Sequence, residues 1–377
     1  MKLKGKRSEL LTAFQRVQGV VEKRNTMPIL SNILLEAKDG EIVIFATDLE
    51  IGIRGRYPAD VTEPGGVTVS ARKFYEILRE LPEGDVDLSS GENHSVRIQA
   101  GSSDFKIVGL PPQEFPSMPP VEEEPLVPID REVFSELIRK TVFAAGDNDA
   151  RYILNGLLIN FIKKDKKKGI RLVGTDGHRL AVIERFLGNG KGAGAAGGPT
   201  EQTAIVPKKA AIEIKKLLDE GEDKAEIGLN KNQLIFRRGD LLLLARLMEG
   251  NYPSFEQVIP KENKKLALAQ KTDLEGALRR VSILSREKNH AIKLSLEKNA
   301  LTLSSSNPDM GEAKETIPVK FEQEGLTAGF NARYLLDILG ALDSDEVSLE
   351  FKDALSPCLV RQPGDQDYIC VVMPMRV

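Results

Sequence analysis

The chain has 377 residues and a mass of 41.5 kDa, more than one ordinary domain needs, so two or three domains are expected. Hydrophobic residues at 41% and charged residues at 29% fit a globular protein with ample core. A formal charge of −3, a pI near 5.9, no tryptophan and 5% aromatics argue against a globally basic nucleic-acid binder and against a surface of base-stacking platforms.

From the N-terminus, MKLKGKRSELLTAF has basic residues but no long apolar run, which predicts neither a signal peptide nor a membrane span and leads to a cytoplasmic expectation. A helix is predicted over 8–21, where Leu10, Phe14, Val17 and Val21 form one apolar stripe. Strands follow at 33–36 and 41–45, then a tight turn in ATDLEIGIRG (46–55). Ser70 caps a second helix with Phe74, Ile77, Leu78 and Leu81 on one face. That helix runs into the acidic turn PEGD (82–85) and a strand at 86–88. Residues 110–128, LPPQEFPSMPPVEEEPLVP, are too proline-rich for regular structure.

The same order then recurs twice. Asp130 caps a helix whose inward face holds Val133, Phe134, Leu137, Ile138 and Thr141, and strands follow at 156–161 and 170–174. Residues 173–184, VGTDGHRLAVIE, repeat the Thr-Asp turn. Pro207 opens a helix with Ala211, Ile214, Leu217 and Leu218 on one face, followed by DEGED (219–223) and a strand at 225–229. NYPSFEQVIP (251–260) is similar to the earlier QEFPSMP. In the last third, Thr272-x-x-Glu275 reads as a capping box ahead of Leu274, Leu278, Val281 and Leu284. LSSSNPDMG (303–311) is a looser third turn with Ser306-Asn307 in place of Thr-Asp. Asn331 caps a helix with Leu335, Ile338, Leu339 and Leu342, and DSDE (343–346) leads into a strand at 347–351.

A threefold echo predicts an α+β chain of three topologically similar domains, 1–128, 129–260 and 261–377, each with two helices and antiparallel sheets. Within each, the expected order is helix, strands, helix, strands. The middle copy is longer because it contains GNGKGAGAAGG (188–198). Its lysine is followed by Gly192 and no helix starts there, so the run is expected to be a surface insertion and not a phosphate loop.

Charge is distributed unevenly. Helix positions off the apolar stripes are often cationic: Arg16, Lys23, Arg24, Arg72, Lys73, Arg79, Arg139, Lys140, Lys208, Lys209, Lys215, Lys216, Arg279, Arg280 and Arg333. Strands and turns carry much of the acid. Ordinary solvated helix faces would look like this. Alternatively, the helices share one cationic surface and hide a nucleic-acid groove inside an acidic protein.

No catalytic constellation is legible. His178 lies two residues after Asp176 with no recognisable serine or cysteine nucleophile, and no GxSxG, HExxH, Walker or GxGxxG pattern is present. Cys358 and Cys370 make neither a disulfide framework nor a metal-ligand spacing; reduced thiols are expected, with no metal and no cofactor. A hydrolase using Asp176 and His178, or a DNA-free peptide scaffold, are the rival readings. The terminal VVMPMRV (371–377) is either an apolar edge strand or, through its methionines beside Pro374, the lining of an adaptable peptide groove.

Several stretches together resemble the bacterial DNA polymerase III beta subunit family, the replicative sliding clamps: MPILSNILLEAKDG with ATDLE (27–50), RYILNGLL (151–158), TDGHRLAV (175–182), FNARYLLDIL (330–339) and the terminal VVMPMRV. The resemblance covers essentially the whole chain. It implies a clamp architecture in which two subunits join head to tail into a ring, helices lining the hole and sheets forming the rim. It also implies that the ring encircles duplex DNA without reading sequence and catalyses nothing. By the same resemblance it tethers the replicative polymerase subunit for processivity, is opened by a clamp-loader ATPase, and serves repair polymerases and other proteins with clamp-binding motifs.

Carried over, the partner-peptide cleft comprises Leu154, Thr175, Gly177, His178, Arg179, Leu180, Pro253, Val258, Val371, Met373, Pro374, Met375 and Arg376. Gln257 departs from the family, which places a basic residue there. The DNA-facing set is Arg24, Arg72, Lys73, Asn148, Tyr152, Lys208, Lys209, Arg279 and Arg280. The homodimer contact implied by resemblance is Phe105 and Ile107 against Ile283 and Leu284, the alternative being that these four are domain core.

Overall fold

Each copy of the repeat begins one strand earlier than its periodicity suggests. The computed structural model describes residues 1–21, 27–91, 93–119, 126–164, 167–186, 202–221, 224–285 and 290–376. Its α-helices are α1 (Arg7–Gln18), α2 (Ala71–Glu80), α3 (Arg131–Arg139), α4 (Lys208–Asp219), α5 (Lys271–Val281) and α6 (Ala332–Ala341). Strands Lys2–Lys6, Val127–Ile129 and Lys265–Gln270 lead into α1, α3 and α5. Each pairs antiparallel with the strand that follows the copy's second helix, namely Asp85–Ser90, Ala225–Leu229 and Glu346–Phe351. The leading strands escape pattern reading for a local reason. In KLALAQ the alanines Ala267 and Ala269 face the core while Leu266 is 40% exposed, and VPI is three residues long. The expected boundary at 128 falls inside the strand Val127–Ile129.

Among the described residues every strand pairing is antiparallel, and the strands form sheets of five, nine and twelve. The chain separates into two compact units. Among the described residues, the first comprises Met1–Phe134 and Lys209–Leu247; the second comprises Ser135–Gly188, Thr200–Lys208 and Met248–Val377. The first unit holds the five- and nine-stranded sheets, the latter continuous because Ile51–Pro58 pairs with Leu241–Arg246. The second holds the twelve-stranded sheet, in which Arg179–Phe186 pairs with Tyr368–Val372. In both cases a strand after the Thr-Asp turn of one copy pairs with the last strand of the next copy.

In the first unit, α1 buries Leu10, Ala13, Phe14 and Val17, and Phe14 stacks on Phe74 of α2 with ring centroids 4.3 Å apart. Ser70 caps α2 by accepting from the Lys73 amide, Asp130 accepts from the Val133 amide in α3, and in the second unit Asn331 accepts from Arg333 and Tyr334 in α6. The capping box expected at Thr272 does not form. The strand Lys265–Gln270 passes straight into α5, so Thr272 is already inside the helix and Glu275 instead pairs with Arg279. Pro207 is likewise the last residue of its strand, immediately before α4. α1 ends at Gln18, short of the expected Val21.

One of the cations read on the polar helix faces turns inward. Lys140, directly after α3, is 1% exposed; its ammonium lies 2.8 Å from Glu136, 2.9 Å from Asp343 and 3.8 Å from Asp365. Arg185 bonds Glu136 and Asp365, and Arg139 bonds Asp343. The Lys140 ammonium also sits 4.9 Å from the centre of the buried Tyr368 ring, whose hydroxyl donates to the Lys140 carbonyl. The network ties α3 and the strand Arg179–Phe186 to the turns after α6 and before Tyr368–Val372 within the second unit. Cys358 and Cys370 are buried free thiols, and burial pushes Cys370 up to about 12, leaving it protonated and unreactive.

Candidate functional site

The site grows from the Thr-Asp turn. Between strands Lys167–Thr175 and Arg179–Phe186, the Thr175 hydroxyl donates to the Arg179 carbonyl at 2.6 Å and accepts from the Gly177 amide at 3.1 Å. The Asp176 carboxylate accepts from the amides of His178 and Arg179 at 2.9 and 3.0 Å. Such side-chain bonds to nearby amides fix a turn without help from the sheet. Thr47 and Asp48 make the corresponding four bonds, to the Ile51 carbonyl and the amides of Leu49, Glu50 and Ile51. Gly177 at φ 82° is matched by Leu49 at φ 77°. The third copy is looser, as its sequence suggests. Asn307 accepts from the Asp309 amide through its side chain, and strands Ala300–Asn307 and Gly311–Lys320 close directly into a hairpin.

What distinguishes the middle turn is the strand that arrives beside it. Tyr368–Val372 sets Val371 opposite Leu180 and Val372 opposite Arg179. Beyond the strand, the Met373 amide donates to the His178 carbonyl at 2.8 Å. A pocket of about 130 Å³ opens there, lined by Arg151, Leu154, Thr175, Gly177, Arg179, Leu180, Pro253, Phe255, Val258, Val371 and Met373. All of these belong to the second unit. Its floor is the cluster of Leu180, Val371, Phe255 and Met248 with Leu158 and Leu359. Tyr252 packs against this cluster, and burial pushes its hydroxyl well above the ordinary tyrosine range.

Two guanidiniums serve different purposes at this pocket. Arg179 is 9% exposed, pairs with Asp176 and Asp337, and lies 4.6 Å from the Tyr334 ring centre and 5.6 Å from that of Phe143. Its charge is spent within the fold, locking the turn to α6. Arg151 is 56% exposed and is the pocket's open cation. Bonds from its side chain and amide hold the Asp149 carboxyl down to about 2, so the pair stays ionised through the neutral range. Its guanidinium also donates to the Asp176 carbonyl at 2.7 Å, fastening it to the turn. An apolar pocket with one fixed cation at its mouth suits a short, mostly hydrophobic segment with a polar or acidic neighbour.

Nine of the expected cleft residues therefore line one pocket. Four do not. His178 is exposed and its ring stacks on Tyr334 at 6.4 Å, while its backbone serves Met373. Met375 is tied to the Gly329 carbonyl, which carries Pro374 and Arg376 away from the lining. Sequence reasoning missed Arg151 and Phe255; the latter stands in the NYPSFEQVIP echo and could have been picked up there. Gln257 is exposed in the turn Phe255–Gln257 and does not line the pocket.

The chain's similarities follow the same plan. Models of the DNA polymerase III beta subunit match its N-terminal domain over residues 1–119, its central domain over 128–254 and its C-terminal domain over 256–376. The chain belongs to the DNA polymerase III beta subunit family. The beta sliding clamps of Caulobacter vibrioides and Escherichia coli strain K12 are 37% and 33% identical to it, over all of both chains. Among solved structures, a Bartonella birtlesii sliding clamp bound to griselimycin superposes with a TM-score of 0.91 at 34% identity, covering all of both chains. A Caulobacter crescentus polymerase sliding clamp gives 0.88 at 36%, again over all of both. The three-domain α+β clamp fold and the sliding-clamp function are thereby established for this beta-subunit chain.

The expected DNA-facing side chains fall into two groups. In the first unit Arg72 and Lys73 stand out from α2 around Glu76; in the second, Arg279 and Arg280 stand out from α5, paired with Glu275 and Glu315. Exposed pairs of this kind are weak, so these cations remain available to a phosphate. Lys208 and Lys209 are more committed. Lys208 bonds Asp147 and the Ala145 carbonyl, and Lys209 bonds Asp48 and the Val20 carbonyl. Asn148 and Tyr152 are exposed on either side of Asp149 and Arg151. Arg24 and the insertion at 188–198 lie outside the described residues. Phe105 and Ile107 lie on Ser103–Ile107, the edge strand of the five-stranded sheet. Ile283 and Leu284 lie in the turn Ser282–Ser285 after α5. Phe105 is 40% exposed and Ile283 54%, so neither is core. Among the described residues no helix is long and apolar enough to cross a membrane, and no His, Cys, Asp and Glu group could hold a metal ion.

The two turns supply a built-in comparison for a test of the pocket. A Cβ on Gly177 would lie 2.6 Å from the Arg151 guanidinium, yet Leu49 adopts the same backbone in the other turn. Gly177→Ala is therefore expected to fold with a loss of about 1–2 kcal/mol from the left-handed backbone. It should displace Arg151 and weaken peptide binding several-fold, read by anisotropy. Unaltered affinity would mean that Arg151 takes no part in binding.

Proposed function

We propose that two copies of this chain close head to tail around duplex DNA and that the pocket beside the Thr175–Arg179 turn takes the linear motifs of the proteins the ring tethers. The observation that carries the cleft reading is the register of Val371 against Leu180, which brings the chain's last strand to the Thr-Asp turn and makes one apolar pocket. The proposed occupants are the replicative polymerase subunit, the clamp-loader ATPase that opens the ring, and repair polymerases, each competing for the same pocket. The protein itself performs no catalysis and works in the cytoplasm, where the chromosome is. Exposed Phe105 on an unpaired sheet edge and exposed Ile283 support these faces as the contact between copies. A closed ring needs only weak attraction to DNA, which a net charge of −3 with cations on selected helices permits.

The test loads the protein onto nicked circular DNA, washes at high salt and then linearises the circle. Topological retention predicts survival of the wash and release once ends appear. Equal loss from circle and line would replace the ring with ordinary electrostatic binding. In parallel, Ile283→Arg should sediment as a monomer and fail to be retained; an intact dimer would refute the proposed contact.

A further inference from the structure

One basic feature lies outside every helix and outside the cleft. Strands Gly156–Lys164 and Lys167–Thr175 form a hairpin whose register sets Lys163 opposite Lys168 and Lys164 opposite Lys167. All four lysines are exposed, and none has an ion-pair partner among the described residues. Like charges placed directly across a ladder destabilise it, so these two rungs work against the hairpin's own stability. The contrast with the helices is direct: Arg72, Lys73, Arg279 and Arg280 each stand beside a glutamate. It also departs from the general pattern of this chain, in which strands and turns carry much of the acid.

The geometry narrows the partner. Side chains alternate along a strand, so the ribbon shows Lys163 and Lys168 on one face and Lys164 and Lys167 on the other. The strand from Lys167 to Thr175 has nine residues, so the tip stands about 30 Å from the Thr175 turn and cannot share a cleft-bound peptide motif. Phe161 and Ile170 are buried, and the apolar side chains nearest the tip, Ile162 and Phe186, are half-buried beside Gly169. An acidic peptide would find charge there but only these half-buried side chains as an apolar anchor, and the cleft pocket is not at the tip. A phosphate backbone needs no anchor, because releasing its condensed counterions supplies the affinity.

We propose that the lysine-tipped hairpin is a second nucleic-acid contact, taking the phosphate backbone of DNA at a place other than the helix cations. Binding there is independent of sequence and weak, and it is strongest at low salt. It is distinct from topological retention, which high salt does not reverse.

The experiment compares the full-length protein with the variant Lys163→Gln, Lys164→Gln, Lys167→Gln, Lys168→Gln. Binding to a short linear duplex, with no loader present, is followed by anisotropy across a salt series. The variant is expected to bind at least about tenfold more weakly at low salt, with a log–log salt slope shallower by about 0.9 for each phosphate that is no longer neutralised. Its melting midpoint should equal or exceed that of the parent, because the opposed charges are gone, and cleft-peptide affinity should be unchanged. Replacing the same four with arginine should restore the slope. An unchanged slope overturns the proposal, as does lost binding to polyglutamate with DNA binding intact, which would make the tip a dock for an acidic protein. Salt-resistant retention on circular DNA is expected to be the same for parent and variant; if both fall off, the ring reading fails while the hairpin result stands.

Discussion

Lys140→Ala is expected to lower the free energy of unfolding by about 3 kcal/mol at neutral pH. The ammonium is 1% exposed and faces Glu136, Asp343 and Asp365, so its removal leaves carboxylates with too little positive charge beside them. Arg185 keeps its bonds to Glu136 and Asp365, and Asp343 is half exposed and screened by water. Both moderate the loss. Lys140→Met should cost less than a variant that also leaves a cavity, because it retains most of the packing against Tyr368.

The pH dependence has a definite sign. Bonds from Arg185 and Lys140 hold Glu136 below its ordinary value. Burial alone would raise Asp343, but bonds from Lys140 and Arg139 leave it depressed as well. A depressed carboxyl stabilises fully above its unfolded pKa, about 4 for either residue. That stability is lost as pH falls through the lower folded value. The gap between parent and Lys140→Ala should therefore be widest near pH 7 and narrow as the carboxylates protonate. Urea midpoints at pH 7 and in the acid range measure it. A gap below about 1 kcal/mol at pH 7 would show that the arginines suffice.

The second large effect is on partner binding. Val258 and Met373 line the pocket yet are 41% and 37% exposed, so charge can be placed there without opening the core. Val258→Asp with Met373→Asp puts two carboxylates where an apolar segment must be desolvated. Affinity for a labelled peptide carrying the polymerase subunit's clamp-binding motif should fall by at least about 100-fold, the range of a lost hot spot. Retention on circular DNA after loading by a cleft-independent route, such as spontaneous ring closure at high protein concentration, should persist. An affinity within threefold of the parent would place the motif elsewhere.

Much of this was legible in the chain alone. The Thr-Asp turns at 47–48 and 175–176 could be paired in advance because their hydrogen bonds are local, each side chain reaching amides two or three residues on. Ser70, Asp130 and Asn331 were readable as caps for the same reason. Long stretches such as TDGHRLAV pointed to the family, and with it to nine residues of the pocket.

Other features depended on segments far apart in sequence. Thr272 looked like a cap because its local pattern is right, but a strand that pairs with Glu346–Phe351 ends at Gln270 and runs straight into the helix, which has begun before Thr272. Lys140 carries the same helix-face signature as Lys73, yet one is sealed and the other is open. Asp343 and Asp365, more than 200 residues on, decide that. Arg151 and Phe255 share one pocket with Val371 because the last strand pairs with Leu180 across the sheet. Sequence alone determined the repeat, the caps at Ser70, Asp130 and Asn331, the Thr-Asp turns and the family, because propensity and short-range hydrogen bonding act over a few residues. Tertiary structure alone decided which charges are buried and which side chains share a pocket, because both depend on what distant strands bring alongside.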